Sequence, residues 1–254
     1  MEENRIPKKI HYIWFGGNEK SELILRCIDS WRKYLPDYEI IEWDESNYDL
    51  NACDYVREAY DSGKWAFASD YARFDILHTY GGIYLDTDVE FLKPLPEEML
   101  CHVAFTGFES SGNIAPGLIY AAVPGFAFNR EIMDVYQKMH FSIEGYANMK
   151  TVNMIVQGVL EKHSELKENV LQTIEGLTIY PAEYFCGFDL DVGEYDIRPN
   201  TISVHHYAGT WTSQGIKKRI QKMIKKCLGI RSYRTLLTIK RKLFGISGAY
   251  SKQR

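Results

Sequence analysis

The pattern that most constrains this fold lies in the first 44 residues. KKIHYIWFGG, residues 8–17, is an apolar, β-rich run that ends in two glycines, which predicts a buried strand closed by a turn. In SELILRCIDSWRKYL, residues 21–35, Leu23, Leu25, Ile28, Trp31 and Leu35 recur at helical spacing. Ser21 can accept a hydrogen bond from the first turn, and Pro36-Asp37 stops the helix. YEIIEWD, residues 38–44, predicts a second strand. Strand, helix and strand in so short a span form a βαβ unit, and such a unit requires a parallel pair within one sheet. The chain is therefore expected to be α/β.

Further along, helical patterns cover 52–62, 65–80, 126–140 and 148–163. Strand patterns cover 102–109, 117–123, 177–185 and 201–208. Gly81-Gly82 is a stop signal for the 65–80 helix. Next comes GIYLDTDVEFL, which reads as an apolar strand interrupted by Asp86 and Asp88. In an extended strand, residues two apart share a face, so two carboxylates would stand side by side. Buried and unpartnered, each would carry a large desolvation cost, and their mutual repulsion would raise one pKa. A divalent cation removes both problems, and carboxylate oxygens suit Mg2+ or Mn2+. The competing reading ends the strand at Leu85 and leaves both acids as solvated turn residues. Apolar flanks at Ile83, Tyr84, Leu85, Val89 and Phe91 speak against full exposure.

Asp70 and Arg73 lie three apart within the 65–80 helix and so share a face. As a surface ion pair they would contribute little. Their neighbours Phe67, Ala68, Ala72, Phe74, Ile76 and Leu77 leave few directions free for solvent, so a partly buried pair could hold a polyol and a phosphate together.

The stretch ASDYARFDILHTYGGIYLDTDV resembles the signature of the DXD glycosyltransferases related to the yeast initiating α-1,6-mannosyltransferase. It is also similar to the glucosyltransferase domains of large clostridial toxins. IPKKIHYIWFGG, Ser30-Trp31 and HHYAGTW at 205–211 match the same pattern, which extends the resemblance over residues 6–211. The resemblance implies a GT-A fold, a Rossmann-like domain with a mixed sheet that binds a UDP- or GDP-hexose at the strand ends. It implies that Asp88 ligates Mn2+ or Mg2+, that Asp86 is shared between metal and donor, and that Asp70 and Arg73 hold the hexose hydroxyls. An aromatic at Trp14 would stack on the base, although a core aromatic is an equal reading. A late histidine would be the third protein ligand, best matched by His206, with His205 as the alternative. Trp211 could donate its indole N–H to the β-phosphate. The family's Gly-Pro pair on a later helix is missing, since this chain has KTVNMIVQG at 150–158; Glu109 and Asn113 could face the acceptor.

The implied reaction is retaining transfer of a hexose from a nucleotide-diphosphate sugar to a hydroxyl of a glycan or lipid-linked glycan. Capsular or other surface polysaccharide synthesis is the expected setting. A glycosidase using Asp86 and Asp88 as acid and base is a poorer fit, because such pairs sit on separate elements. A toxin-like effector that modifies a protein is the other alternative; no large delivery region accompanies these 254 residues.

Charge divides the chain. Residues 1–215 hold 17 Lys and Arg against 34 Asp and Glu, a net −17, whereas residues 216–254 hold 13 Lys and Arg and no acid. The acidic body argues against a nucleic-acid binder acting through the tail. The expected division is a glycosyltransferase domain over 1–215 and a basic, amphipathic helical tail over 216–254. Ile216, Ile220, Met223, Ile224 and Leu228 recur at helical spacing among cations, a pattern suited to an anionic membrane surface through 216–244, with a helical cap that neutralises the acidic body as the competing reading. Five scattered cysteines without a C-x-x-C speak against a disulfide framework or a zinc motif. MEENRIPKK lacks the apolar core of a signal peptide, and no apolar run approaches the roughly 20 residues of a spanning helix. The expected location is cytoplasmic, peripheral on the cytosolic face of the membrane.

Overall fold

The structure, a computed structural model, describes residues 5–142, 144–145, 150–189 and 193–208, with 232 and 235 beyond them. The N-terminal unit forms as its pattern predicts. Strand β1 (Lys9–Ile13), helix α1 (Glu22–Tyr34) and strand β2 (Glu39–Trp43) follow in order, and β1 and β2 pair in parallel with Ile10 opposite Ile40. Ser21 caps α1 by accepting from the Ile24 N–H. Ile24, Cys27, Ile28 and Trp31 are the buried stripe of that helix, while Leu25 points outward.

Helices α2 (Asp54–Asp61) and α3 (Trp65–Tyr80) come next. In α3, Ala68, Tyr71, Ala72, Phe74, Ile76 and Leu77 are all buried, and α2, α4 (Ala127–Tyr136) and the sheet surround it. An apolar helix enclosed on several sides is stabilised by tertiary burial rather than by one amphipathic face. It ends where Gly81 takes a φ of +62°, with the Gly81 N–H returning to the Leu77 carbonyl. A Cβ on Gly81 would meet Pro124 at 2.6 Å, so the chain reverses here only without a side chain.

Reversal leads into β3 (Gly82–Tyr84), which joins β1 in parallel. With β5 (Ala104–Gly107), β6 (Tyr120–Ala122), β7 (Gln172–Ile174) and β8 (Leu177–Tyr180) the sheet has seven strands in the order β2-β1-β3-β6-β5-β8-β7. β3, β6 and β5 are successively antiparallel, β5 and β8 are parallel, and β7 returns antiparallel. The sheet is mixed and flanked by helices, the α/β architecture expected of the GT-A resemblance.

Four expectations change. The single interrupted strand at 82–92 is two strands in different sheets: β3 ends at Tyr84, and β4 (Val89–Phe91) pairs antiparallel with β11 (Ser203–His205), which follows the small antiparallel ribbon of β9 (Phe188–Asp189) and β10 (Glu194–Tyr195). The strand expected over 177–185 stops at Tyr180, because Pro181 has no N–H for the ladder and instead opens the short helix Ala182–Phe185. The sequence reading has no strand at 172–174. There, Glu175 and Gly176 both take positive φ, 47° and 80°, and close a tight β7–β8 hairpin. Helix α5 (Val152–Leu160) is shorter than its pattern at both ends and is capped by Thr151. Trp211 and, apart from residues 232 and 235, the basic segment 216–254 lie outside the described residues. Among the described residues no helix is long and apolar enough to cross a membrane.

Candidate active site

β1 and β3 run in parallel and release Trp14 and Asp86 from neighbouring carboxyl ends, the side of an α/β sheet where ligands collect. After Leu85 the chain leaves the sheet. The Val89 N–H bonds back to the Asp86 carbonyl, and the Asp86 N–H bonds to the Gly117 carbonyl. Asp86 and Asp88 therefore meet through a turn, not through the strand pleat that the sequence suggests. Both are partly buried, which combines the turn of the competing reading with the burial that the apolar flanks imply.

The turn brings Asp88 against β11. His205 Nε2 donates to Asp88 Oδ1 at 2.8 Å, and the Ala208 N–H donates to Asp88 Oδ2 at 2.8 Å. Burial alone would push the Asp88 carboxyl up; the His205 imidazole and two backbone N–H groups outweigh it and hold the carboxyl at about 2. Burial likewise opposes a charged His205, but Asp88, Asp86 and Glu109 hold its pKa above the ordinary value. The donor atoms of Asp86, Asp88 and His205 lie within 4.8 Å of one another.

The structure thus brings His205, not His206, to the acid pair. His206 sits on the other side of the strand end, where its Nε2 donates to Glu90 Oε2 at 2.7 Å. Successive side chains of an extended strand face opposite ways, and the β4–β11 register, Val89 opposite His205, decides which one meets Asp88.

From α3, Arg73 reaches into the same cluster. Its Nη2 donates to Asp70 Oδ1 at 2.6 Å, and its Nη1 lies 3.4 Å from Asp86 Oδ1. The Arg73 side chain is only 4% exposed, so this is no surface pair. Burial opposes its charge, and Tyr84, Asp86 and Asp70 outweigh burial, so the guanidinium stays protonated. Burial pushes the Asp70 carboxyl up against the pull of Arg73. Arg73 Nη1 and His205 Nδ1 are buried without a hydrogen-bond partner among the described residues.

Trp14, at the end of β1, is half-buried; its indole donates to the Asn18 carbonyl at 2.7 Å and Lys20 lies over its ring. Glu109 is buried, with its carboxylate held by Ser111, Asn113 and Tyr207, so it faces the cluster through Tyr207 rather than lining an open loop.

Sequence reasoning missed three contributors. Tyr84 donates to Asp86 Oδ1 at 2.9 Å, and its ring lies 4.6 Å beneath the Arg73 guanidinium. Its place two residues before Asp86 was the available signal, since strand alternation puts them on one side. Tyr207 takes a φ of +48° and lays its ring 4.0 Å from that of His205. Gly117 admits the Asp86 side chain so closely that a Cβ would stand 2.0 Å from Asp86 Oδ2. Nothing in the local pattern marks the last two.

An oxygen-rich donor set with one imidazole suits a hard or borderline divalent cation such as Mg2+ or Mn2+. The arrangement can hold a cation against two carboxylates and, beside it, present Asp70 and Arg73 to hydroxyl or phosphate oxygens.

Several known proteins are similar to parts of this chain. The family model described as "Capsular polysaccharide synthesis protein" matches residues 1–118. Inositol phosphoceramide mannosyltransferase 3 of Schizosaccharomyces pombe is 34% identical over 140 residues, 49% of this chain and 39% of that protein. Subversion of eukaryotic traffic protein A of Legionella pneumophila is 30% identical over 131 residues, 41% of this chain and 20% of that protein. Human alpha-1,4-N-acetylglucosaminyltransferase is 36% identical over 67 residues, 26% of this chain and 18% of that protein. The chain spans less than half the length of each of these relatives. The resemblance drawn from the D-x-D stretch is borne out: over part of its length the chain is similar to proteins named as a mannosyltransferase and an N-acetylglucosaminyltransferase.

Proposed function

We propose that this protein is a metal-dependent, retaining glycosyltransferase that moves a hexose from a nucleotide-diphosphate sugar to a hydroxyl acceptor. The observation that carries the reading is the convergence of Asp70 and Arg73 from α3, Asp86 and Asp88 from the β3–β4 turn, and His205 from β11. Asp86, Asp88 and His205 would hold Mn2+ or Mg2+. When bound, the cation would supply charge stabilisation to a leaving diphosphate.

The chain's own groups do the rest. Arg73, held charged in a nearly dry position, has an Nη1 that makes no hydrogen bond among the described residues and lies 3.4 Å from Asp86, so it can donate to a donor oxygen beside that carboxylate. Asp70 accepts from Arg73 with one oxygen and can accept from a hexose hydroxyl with the other. Tyr84 orients the Asp86 carboxylate. Trp14 offers an indole face suited to a flat base. No protein nucleophile is assigned. A front-face route needs none, since the departing phosphate can take the acceptor proton.

The family model's description supports a role in capsular or other surface polysaccharide synthesis. In that setting the basic segment 216–244 would hold the enzyme at an anionic membrane surface, close to lipid-linked acceptors. A hydrolysis screen across UDP- and GDP-hexoses with Mn2+ tests the central reading. One donor should be turned over, and EDTA should stop it. Turnover that persists in EDTA, or none with any donor, ends the proposal.

A further inference from the structure

His206 is not left idle by its failure to reach Asp88. It stands with Cys27 of α1 and Glu90 of β4, and one donor atom from each lies within 4.8 Å of the others. Cys27 is fully buried, and the side chains of His206 and Glu90 are 8% and 23% exposed. The three residues are far apart in sequence, which is why no zinc spacing shows there. The packing of α1 on β4 assembles them: Trp31 donates to the Val89 carbonyl and the Phe91 N–H donates to Ser30.

We propose that Cys27, Glu90 and His206 form a Zn2+ site distinct from the carboxylate site at Asp86 and Asp88. Thiolate, imidazole and carboxylate are the donors zinc takes, whereas a thiolate is a poor ligand for Mg2+. Ligand chemistry therefore separates the two sites. The histidine already has the outer contact that metal-bound histidines require: Tyr195 Oη lies 2.8 Å from His206 Nδ1, leaving Nε2 directed at Glu90. A tyrosine hydroxyl both donates and accepts. It can donate to Nδ1 while Nε2 carries the proton, and accept from Nδ1–H once Nε2 binds metal.

Without metal, burial pushes the Cys27 thiol up to about 12, so it is neutral at physiological pH. Zinc binding would send the thiol proton to solvent, and thiolate plus carboxylate would then neutralise the ion. Arg26, which lies 3.4 Å from Glu90 and is 59% exposed, is free to turn to solvent when that happens. Three protein ligands leave one position of a tetrahedron for water. The bound ion would tie α1 to the strand pair that carries Asp88 and His205. This site does not depend on the glycosyltransferase reading.

The test uses the full chain, stripped with chelator and titrated with Co2+ and then Zn2+. A thiolate-to-cobalt absorption band should appear in the near ultraviolet and be bleached by one equivalent of Zn2+. Asp86→Asn should keep the band, and Cys27→Ser should lose it. Tyr195→Phe, at an exposed residue, should weaken Zn2+ binding by about tenfold while the metal-free protein melts unchanged. Glu90→Gln should weaken it at least as much. Should Cys27→Ser fail to fold, Glu90→Gln and Tyr195→Phe decide. Absence of the band, its survival in Cys27→Ser, or unchanged Zn2+ affinity in both Glu90→Gln and Tyr195→Phe would overturn the proposal and leave His206 and Glu90 as an ion pair only.

Discussion

Asp88 and His205, 117 residues apart, meet at 2.8 Å, and their contact joins the β3–β4 turn to the end of β11. Two carboxylates on a turn would otherwise splay toward solvent. Here one is held by an imidazole and a backbone N–H, and the other by Tyr84 and Arg73. On this geometry, Asp88→Asn should keep the fold and lose donor turnover by at least about a hundredfold, in line with the several kcal/mol that a bound metal supplies. His205→Ala should raise the Mn2+ concentration needed for half-maximal activity. Steady-state rates against Mn2+ measure both, and wild-type Mn2+ dependence in His205→Ala would count against its role as a ligand.

Gly117→Ala gives a second, sharper test. A methyl group at this position would overlap Asp86 Oδ2. The carboxylate is the end of a side chain and can swing away, so the cost should fall on the site and little on the melting temperature. The expected result is a large loss of turnover with near-normal circular dichroism. Normal turnover would show that the observed Asp86 rotamer is not the working one.

The Asp70–Arg73 pair should separate function from stability. Arg73→Ala leaves Asp70 and Asp86 without their cation, a loss that typically costs about 3–5 kcal/mol for a buried pair, so this variant should melt earlier. Asp70→Asn keeps size and polarity and should melt near the wild type, yet bind donor weakly. Calorimetry with isothermal donor titration reads both. If Asp70→Asn binds donor normally, the pair is structural.

Stability should fall in mild acid through His11. This ring is buried, accepts from the Trp43 indole at Nδ1 and donates from Nε2 to the Gly81 carbonyl. A proton on Nδ1 would face the indole N–H. Burial lowers the His11 pKa from 6.5 to about 4. The folded state thus binds fewer protons than the unfolded one between those values, and stability drops as pH falls through that window. From pH 7 to 5 this group should remove on the order of 2 kcal/mol. Urea unfolding at both pH values, compared with His11→Gln, measures it; an equal pH dependence in the variant would reassign the effect.

Membrane attachment is testable in the full chain. Replacing Lys217, Lys218, Arg219, Lys222, Lys225 and Lys226 by Gln should release the protein from anionic liposomes and leave hydrolysis of soluble donor intact. Equal sedimentation of both proteins with vesicles at physiological salt would remove the membrane role.

Local pattern by itself determined the parallel β1–β2 unit, the reach of α3 from Trp65 to Tyr80, its stop at the double glycine and the nearness of Asp70 to Arg73. Period, caps and breakers act within a few residues, so neighbours in sequence suffice to read them. That nearness also made Asp86 and Asp88 a pair. Whether a pleat or a turn joined them was decided by partners far along the chain: the Gly117 carbonyl that takes the Asp86 N–H, and β11, which draws Val89–Phe91 into another sheet. The same holds for the histidines. Alternation says that His205 and His206 face opposite ways, but only the register of β11 on β4 says which of them meets Asp88 and which meets Glu90 and Cys27. Register is set by hydrogen bonds and burial between segments more than a hundred residues apart, and a one-residue slip would have exchanged their roles.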